Sequence, residues 1–179
     1  FSFDTGSNHI DLRTQRHFTT LVLSARAATS LLTIYQTLFE GHLQSSAFTT
    51  PVTAIATHLI KASLALHKEV SNTFKRSSVN FHYEFTTRHL DALFQGLRWS
   101  TPGVFTSPEK FVHLWLHEAE RVYCDRLSTQ DDQAKFANML VNQAKKAFPQ
   151  FNLSKLYGPS ATGPPLFCHY SDTLDPQQP

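Results

Sequence analysis

Two stretches of the sequence decide the fold: residues 81–100 read FHYEFTTRHLDALFQGLRWS, and residues 111–127 read FVHLWLHEAERVYCDRL. In both, leucine and aromatic residues recur every three or four positions, the spacing that gathers apolar side chains on one face of a helix. Thr86 or Thr87 can cap the first helix, and Ser107 with Pro108 in the first helical position begins the second. The predicted apolar stripes are Leu90, Leu93, Phe94 and Leu97 in the first helix, and Phe111, Leu114, Trp115, Ala119 and Val122 in the second.

Helical spacing continues on both sides of these stretches. A helix is predicted over Ala25–Leu43, and a longer one begins near Thr50 with Pro51 in its first turn. Ser128 with Asp131 resembles a capping box for a last helix that ends near Phe148, before a proline. The apolar positions of the predicted helix over Ala25–Leu43 are Leu31, Ile34, Tyr35, Leu38 and Phe39. Those of the longer helix that begins near Thr50 are Val52, Ile55, Ile60, Leu64, Leu66 and Val70.

The N-terminal part has a different pattern. Residues 1–17 are polar and loop-like, and Phe18–Ser24 (FTTLVLS) has the β-branched composition of a single strand. A lone strand cannot satisfy its own backbone groups. We therefore expect a mainly α chain of about five helices, preceded by one strand that belongs to the end of an α/β domain, and we expect the chain to be a fragment of a longer protein.

Composition excludes several classes of function. With 41% hydrophobic and 17% charged residues the chain suits a globular domain, and a net charge of +2 without a basic run gives no reason to expect nucleic-acid binding. No apolar run reaches membrane-spanning length. The two cysteines, Cys124 and Cys168, are far apart, which suits a reducing compartment better than a disulfide scaffold.

The residues that could carry metal or acid–base chemistry have simpler explanations. His113 and His117 are four apart on one helix face, but position 114 is not the glutamate of the zinc-protease pattern and no third ligand has suitable spacing, so we predict no metal site. Glu118 and Arg121 are predicted to form an ion pair on the helix surface. Cys124 lies beside an aspartate, which raises a thiol pKa, so it is not expected to be a nucleophile.

Three arginines are candidates for contact with a phosphate. Arg88 falls in the first turn of a helix, where a guanidinium aimed across a domain gap can bind a γ-phosphate through two hydrogen bonds. Arg13 and Arg16 lie in a loop that leads into the predicted strand, as an arginine finger for a neighbouring module would. Judged from the residues alone, all three positions are more typical of surface arginines.

These stretches resemble segments of dynein heavy chains. GSNHIDLRTQRHFTTLVLS (residues 6–24) is similar to the end of the large subdomain of the family's third AAA+ module. FHYEFTTRHLDALFQGL, LWLHEAERVYCDRL and LFCHY follow in the family's order and spacing, and their variants look more axonemal than cytoplasmic. The family has Asp where this chain has His89.

The resemblance implies a domain organisation and a site. Residues 1–24 would be the C-terminal remnant of an AAA+ large subdomain, 25–157 the helical lid subdomain, and 158–179 an extended linker toward the next module. Arg88 would be the sensor-II arginine that contacts nucleotide, Arg13 or Arg16 the arginine finger, and Asn8 would lie next to sensor I.

The resemblance also implies a motor as the whole protein. Its cofactors would be ATP or ADP with Mg²⁺, none of them bound tightly by this piece, and its partners would be neighbouring AAA+ modules, microtubules and dynein intermediate and light chains in an axoneme. Because no GxxxxGK[ST] phosphate loop occurs, the piece alone is expected to be catalytically inert. The alternative is a helical structural or adaptor domain without nucleotide contact, in which Arg88 would pair with an internal carboxylate such as Glu84 or Asp91.

Overall fold

The computed structural model describes residues 11–19, 21, 26–151 and 166–168, and helices account for most of that part. No strand occurs among these residues, so the mainly helical class is confirmed. Four of the seven residues of the predicted strand Phe18–Ser24 and most of residues 158–179 lie outside the described part. The helices are α1 (Leu12–Gln15), α2 (Ala28–Ser45), α3 (Thr50–Thr73), α4 (Thr87–Arg98), α5 (Pro108–Tyr123) and α6 (Gln130–Ala147), with a 3₁₀ turn, Cys124–Arg126, after α5.

Helix α3 is the centre of the packing, because α2, α4, α5 and α6 all contact it. Pro51 lies in its first turn, as predicted, where a missing backbone N–H costs nothing. One polar side chain, Ser63, is fully buried on α3, where its hydroxyl accepts a hydrogen bond from the indole of Trp115 at 2.9 Å and donates to the Leu59 carbonyl at 2.8 Å. The other buried residues of α3 are Val52, Ile55, Ala56, Leu59, Ile60, Ala62, Leu66 and Val70.

Helices α4 and α5 confirm the two stripes on which the fold prediction rests. All four predicted apolar residues of α4 and all five of α5 are buried. Their rings pack edge to face across helices: Phe39 of α2 lies 5.9 Å, centroid to centroid, from both Phe94 and Phe111. Ser107 caps α5 by accepting a hydrogen bond from the Lys110 backbone N–H at 3.3 Å.

Two helix ends differ from the prediction. Helix α5, whose spacing predicts an end near Leu127, stops at Tyr123, and the chain continues as the 3₁₀ turn up to Arg126. The N-cap of α6 is Thr129, whose hydroxyl accepts from the Asp132 N–H at 3.2 Å, so the predicted cap at Ser128 is wrong by one position. The reason is tertiary, because the hydroxyl and backbone N–H of Ser128 are both hydrogen-bonded to the Tyr83 hydroxyl.

Helix α2 and the segment before it also depart from expectation. Tyr35 and Phe39 are buried as predicted, but Ile34 and Leu38 are 42% and 52% exposed, so the apolar face of α2 is narrower than the sequence spacing indicated. The predicted loop over residues 1–17 contains the short helix α1, which Asp11 caps by accepting a hydrogen bond from the Arg13 N–H at 3.4 Å.

Candidate functional site

Arg88 stands in the first turn of α4, directly after the irregular segment of residues 79–86. Thr86 is the N-cap, as one of the two predicted alternatives, and the Arg88 side chain is exposed. A positive charge at a helix N-terminus opposes the helix dipole at a cost of about 0.3–1 kcal/mol. The position is therefore electrostatically unfavourable for the helix itself, and an anion bound there would reverse the sign of that effect.

The carboxylates nearest to Arg88 in sequence have other partners. Glu84 forms an ion pair with Arg76, with 3.8 Å between the two charged atoms. Asp91 accepts a hydrogen bond of 2.7 Å from the Tyr35 hydroxyl. Within the described part of the chain Arg88 has no hydrogen-bond or ion-pair partner. The pairing that would mark a purely structural arginine is thus not found among these residues.

An open pocket of about 760 Å³ lies at the start of α4 and includes Arg88 in its wall. Arg126, in the 3₁₀ turn after α5, forms another part of the wall. Its Nη2 donates to the His82 carbonyl oxygen at 2.9 Å, and its guanidinium carbon lies 6.0 Å from the centre of the Phe85 ring. The pocket is lined by Phe81, His82, Glu84, Thr86, Thr87, Arg88, His89, Ala92 and Arg126.

His89 connects the pocket wall to the protein interior. Its Nδ1 lies 3.1 Å from the Thr86 backbone nitrogen and 3.2 Å from the Thr86 carbonyl oxygen, so it accepts from the first when unprotonated and donates to the second when protonated. Burial lowers the pKa of His89, and the positive charge of Arg126 lowers it further, against a hydrogen bond to the Thr86 backbone and the charge of Glu84, which raise it. The neutral ring stacks on Tyr123, with 6.2 Å between centroids.

A second histidine lies deeper on the same side. His67 Nδ1 is 3.1 Å from the Tyr123 hydroxyl, and burial, followed by the nearby His89, lowers the pKa of His67 to about 4. Burial also raises the pKa of Tyr123, so that hydroxyl keeps its proton. The aromatic layer beneath the pocket is therefore uncharged at neutral pH.

Two buried tyrosines fix the pocket to distant helices. The Tyr83 hydroxyl donates to Asp132 of α6 at 3.0 Å, which ties the segment before α4 to the last described helix. The Tyr35 hydroxyl of α2 bonds Asp91, in the second turn of α4. The start of α4 is consequently held from two sides, and the position of Arg88 depends on the whole helical body.

The remaining predicted phosphate ligands lie elsewhere. Arg13 and Arg16 belong to α1 or its C-cap and are exposed; the Arg16 Nε donates to His17 Nε2 at 3.1 Å. Neither of them lines the pocket with Arg88. Asn8 lies outside the described residues. The structure therefore brings neither arginine into the pocket with Arg88, and the roles of all three residues as finger or sensor-I neighbour stay predictions.

The residues that were not expected to bind a metal or act as acid–base groups lie in surroundings that the helix packing explains. Among the described residues no group of histidine, cysteine and carboxylate side chains could hold a metal, His113 and His117 included. The predicted Glu118–Arg121 pair is present, with Nη2 to Oε2 at 2.6 Å, but Glu118 is only 7% exposed, so the pair is not a surface pair on its acidic side. Burial, then Glu120 and Asp125, raises the pKa of Cys124 to about 11; the direction is the predicted one, but burial rather than the neighbouring aspartate is the largest cause.

Sequence reasoning did not identify Arg126 as a pocket residue. It stands far from Arg88 in the chain and follows Asp125 in a stretch that reads as an ordinary helix end. Only the tertiary packing of the 3₁₀ turn against residues 82–85 brings it to the pocket. The local sequence contains no signal that would have placed it there.

The fold agrees with the comparisons to known proteins. Residues 59–156 match the family model described as the AAA+ lid domain, and the chain belongs to that family. Over nearly its whole length it corresponds to this region of axonemal dynein heavy chains. It is 43% identical over 169 residues, or 94% of the chain, to the flagellar outer-arm dynein alpha chain of Chlamydomonas reinhardtii.

Two further relatives are similar over almost as much of the chain. Axonemal dynein heavy chain 17 of Mus musculus is 36% identical over 97% of it, and the ciliary dynein beta chain of Tripneustes gratilla is 33% identical over 96%. The chain spans about 4% of the length of each of these three relatives. No helix in the described ranges has the length and hydrophobicity needed to cross a membrane.

Proposed function

We propose that this chain is the lid of the third AAA+ module of an axonemal dynein heavy chain, where it closes on nucleotide and relays the nucleotide state to neighbouring modules. The whole heavy chain would be an ATP-driven microtubule motor, with ATP or ADP and Mg²⁺ bound chiefly by the large subdomain. The assignment to the third module rests on the resemblance of residues 6–24 to the end of that module's large subdomain.

The observation that carries the proposal is the state of Arg88. It is an exposed arginine in the wall of an open pocket, and no partner for its charge occurs in the described part of the chain. Its planar guanidinium can form two parallel hydrogen bonds with phosphate oxygens, and such charge-assisted bonds are the strong ones. In phosphoryl-transfer sites an arginine so placed stabilises the negative charge that develops on the transferred group.

The relay follows from how the start of α4 is held. A nucleotide that joins Arg88 to the large subdomain would pull on α4, and the Tyr35–Asp91 and Tyr83–Asp132 hydrogen bonds would carry that movement to α2 and α6. Because the helices share one packed core around α3, the lid would turn as a rigid body rather than bend. Ligand binding would then select one lid angle from the available set.

The partners and location are proposed from the relatives. Their names describe flagellar, axonemal and ciliary dyneins, which favours an axoneme as the place of action. There the chain would contact neighbouring AAA+ modules of the same heavy chain, with microtubules and intermediate or light chains bound elsewhere on the motor. Arg13 or Arg16 would reach the nucleotide of the preceding module.

The test is the substitution Arg88→Ala in the complete heavy chain that carries this lid. Loss of a charge-assisted phosphate contact should weaken nucleotide binding by the third module about tenfold or more and change the microtubule-stimulated ATPase rate. Arg98→Ala is the matched control, because Arg98 is an exposed arginine at the opposite end of α4 and does not line the pocket. Unchanged nucleotide affinity and ATPase in Arg88→Ala would refute the sensor role.

That negative result would favour the alternative, a helical structural or adaptor domain without nucleotide contact. In that case the lid would serve packing alone, and substitutions that destabilise its core would be the only ones to change motor activity. The two proposals are thus separated by one variant of an exposed residue, whose replacement leaves the core intact.

A further inference from the structure

We infer that Arg126 is a second polyphosphate ligand in the pocket that contains Arg88, so that the lid holds the phosphate chain of a nucleotide between two arginines from different elements. This inference deepens the proposed function and rests on it. It assigns a binding role to a residue of the 3₁₀ turn, outside α4 and its first turn.

The first support is the shared pocket. Arg88 and Arg126 both line the same open space, although one belongs to α4 and the other to the turn after α5. The positive charge of Arg126 also lowers the pKa of His89, the residue that follows Arg88. The charge of Arg126 therefore acts at the start of α4, where Arg88 is.

The second support is the donor capacity of Arg126. A guanidinium has five N–H donors, and the contact with the His82 carbonyl oxygen, at 2.9 Å from Nη2, uses one of them. Nowhere in the described residues does a carboxylate pair with Arg126. The hydrogen bond to His82 and the nearby Phe85 ring fix the direction of the side chain, and its remaining donors are available to an anion.

The third support is the charge balance of the pocket wall. Its one carboxylate, Glu84, lies 3.8 Å from Arg76, a cation outside the wall, and forms no ion pair with Arg88 or Arg126. Two arginines then face the pocket without an acidic partner among the residues described. Two positive charges in the wall of one pocket repel each other, and an anion with several charged oxygens would offset that repulsion and accept hydrogen bonds from both guanidinium groups.

The chemical class of the ligand follows from two separated guanidinium groups. A single phosphate can accept the paired hydrogen bonds of one guanidinium group, whereas a di- or triphosphate offers oxygens on successive phosphorus atoms to both guanidinium groups. The two arginines would therefore contact a polyphosphate chain, and Arg126 would contribute to discrimination of nucleoside di- and triphosphates from the uncharged nucleoside.

The experiment uses the 179-residue chain and sodium tripolyphosphate, titrated by calorimetry and followed by amide chemical shifts of residues 81–89. Arg126→Gln keeps an N–H donor for the His82 carbonyl and removes the charge, and Arg98→Gln is its matched control on the far end of α4. We expect Arg126→Gln to weaken tripolyphosphate binding about tenfold or more, and Arg98→Gln to change it less than about twofold. Arg126→Lys should recover part of the affinity, which a purely structural role of Arg126 would not produce.

Three results would overturn the inference, and they are distinguishable from failure of the proposed function. Equal affinity in Arg126→Gln and the unsubstituted chain, with binding lost in Arg88→Ala, would remove Arg126 and leave the sensor role of Arg88 in place. An equal loss in Arg98→Gln would show diffuse charge attraction without a site. Absence of binding up to about 10 mM tripolyphosphate would reject the two-arginine pocket, while the heavy-chain ATPase of Arg88→Ala decides the proposed function separately.

Discussion

Replacing Gly96 by alanine tests the contact that joins α4 to α5. A Cβ at this position would collide with the carboxyl group of Glu118, both oxygens included. That carboxylate is buried, and its Oε2 accepts two hydrogen bonds from Arg121, from Nε at 2.9 Å and from Nη2 at 2.6 Å. The methyl group of alanine therefore fits only if the carboxylate moves and its ion pair with Arg121 is distorted.

The magnitude has two opposing parts. Alanine is favoured over glycine inside a helix by about 0.8–1.0 kcal/mol, while forcing an extra methyl group into a packed contact costs about 1–3 kcal/mol. Gly41 supplies the reference, because it also lies within a helix and a Cβ there would meet nothing within 4 Å. Gly41→Ala should stabilise the chain by up to about 1 kcal/mol, and Gly96→Ala should be about 1–3 kcal/mol less stable than Gly41→Ala.

Urea unfolding followed by circular dichroism measures both variants, and equal slopes would show that the difference lies in folded-state stability. In the double variant Gly96→Ala with Glu118→Ala, the cost of the methyl group should disappear, because the colliding carboxylate is gone. If Gly96→Ala were as stable as Gly41→Ala, the carboxylate of Glu118 would be free to move, and the proposed tight contact would be wrong.

Three more predictions test the core and the pocket. Ser63→Ala leaves the buried Trp115 indole N–H, now 2.9 Å from the serine hydroxyl, without its acceptor, and urea unfolding should show a loss of about 1–3 kcal/mol; a loss near zero would contradict the need for that bond. Between pH 6.5 and about 4 the unfolded state binds a proton at His67 that the folded state does not, so stability falls as pH falls through this window. His67→Gln should make the decline shallower in urea unfolding at several pH values, and equal slopes would refute the linkage. Arg126→Gln removes a charge that lowers the pKa of His89, so an NMR titration should show that pKa raised, and a lower or unchanged value would place the two side chains apart.

The elements predicted correctly are those whose signals are local. Ser107 followed by Pro108 marks the start of α5 because an N-cap acceptor and a missing N–H act on the first turn itself. The stripe of α4 likewise needs only helical spacing, and all its members are buried. The resemblance to dynein heavy chains supplied the AAA+ lid class from motif order, before any packing was known.

The errors come from contacts between residues distant in the chain. Ser128 has the composition of an N-cap, but Tyr83 engages its hydroxyl and backbone N–H, so the cap moves to Thr129. Ile34 falls in the helical stripe of α2, yet the neighbouring helices cover only the Tyr35 side of that helix. In each case the local pattern permits two outcomes, and tertiary packing selects one.

The candidate site, too, could be predicted only where its signal is local in the sequence. Arg88 could be singled out because its place in a first turn is a property of the local sequence. The absence of a carboxylate partner for Arg88 among the described residues could not be predicted. It depends on the ion pair of Glu84 with Arg76 and on the hydrogen bond of Asp91 with Tyr35. Arg126 reaches the pocket only through the packing of the turn that follows α5.

The hydroxyl of Tyr83 has a consequence for the order of folding. It joins residues before α4 to Ser128 and Asp132, which are 45 and 49 positions away, and closing a loop of that length costs conformational entropy before any contact repays it. We therefore expect these hydrogen bonds, which hold the segment before α4, to form late in folding, after α6 has docked. A nascent lid that ended before α6 would contain α4 with its arginine but would lack the Tyr83–Asp132 hydrogen bond, so under the proposed function we expect nucleotide to bind well only to a lid that has completed its folding.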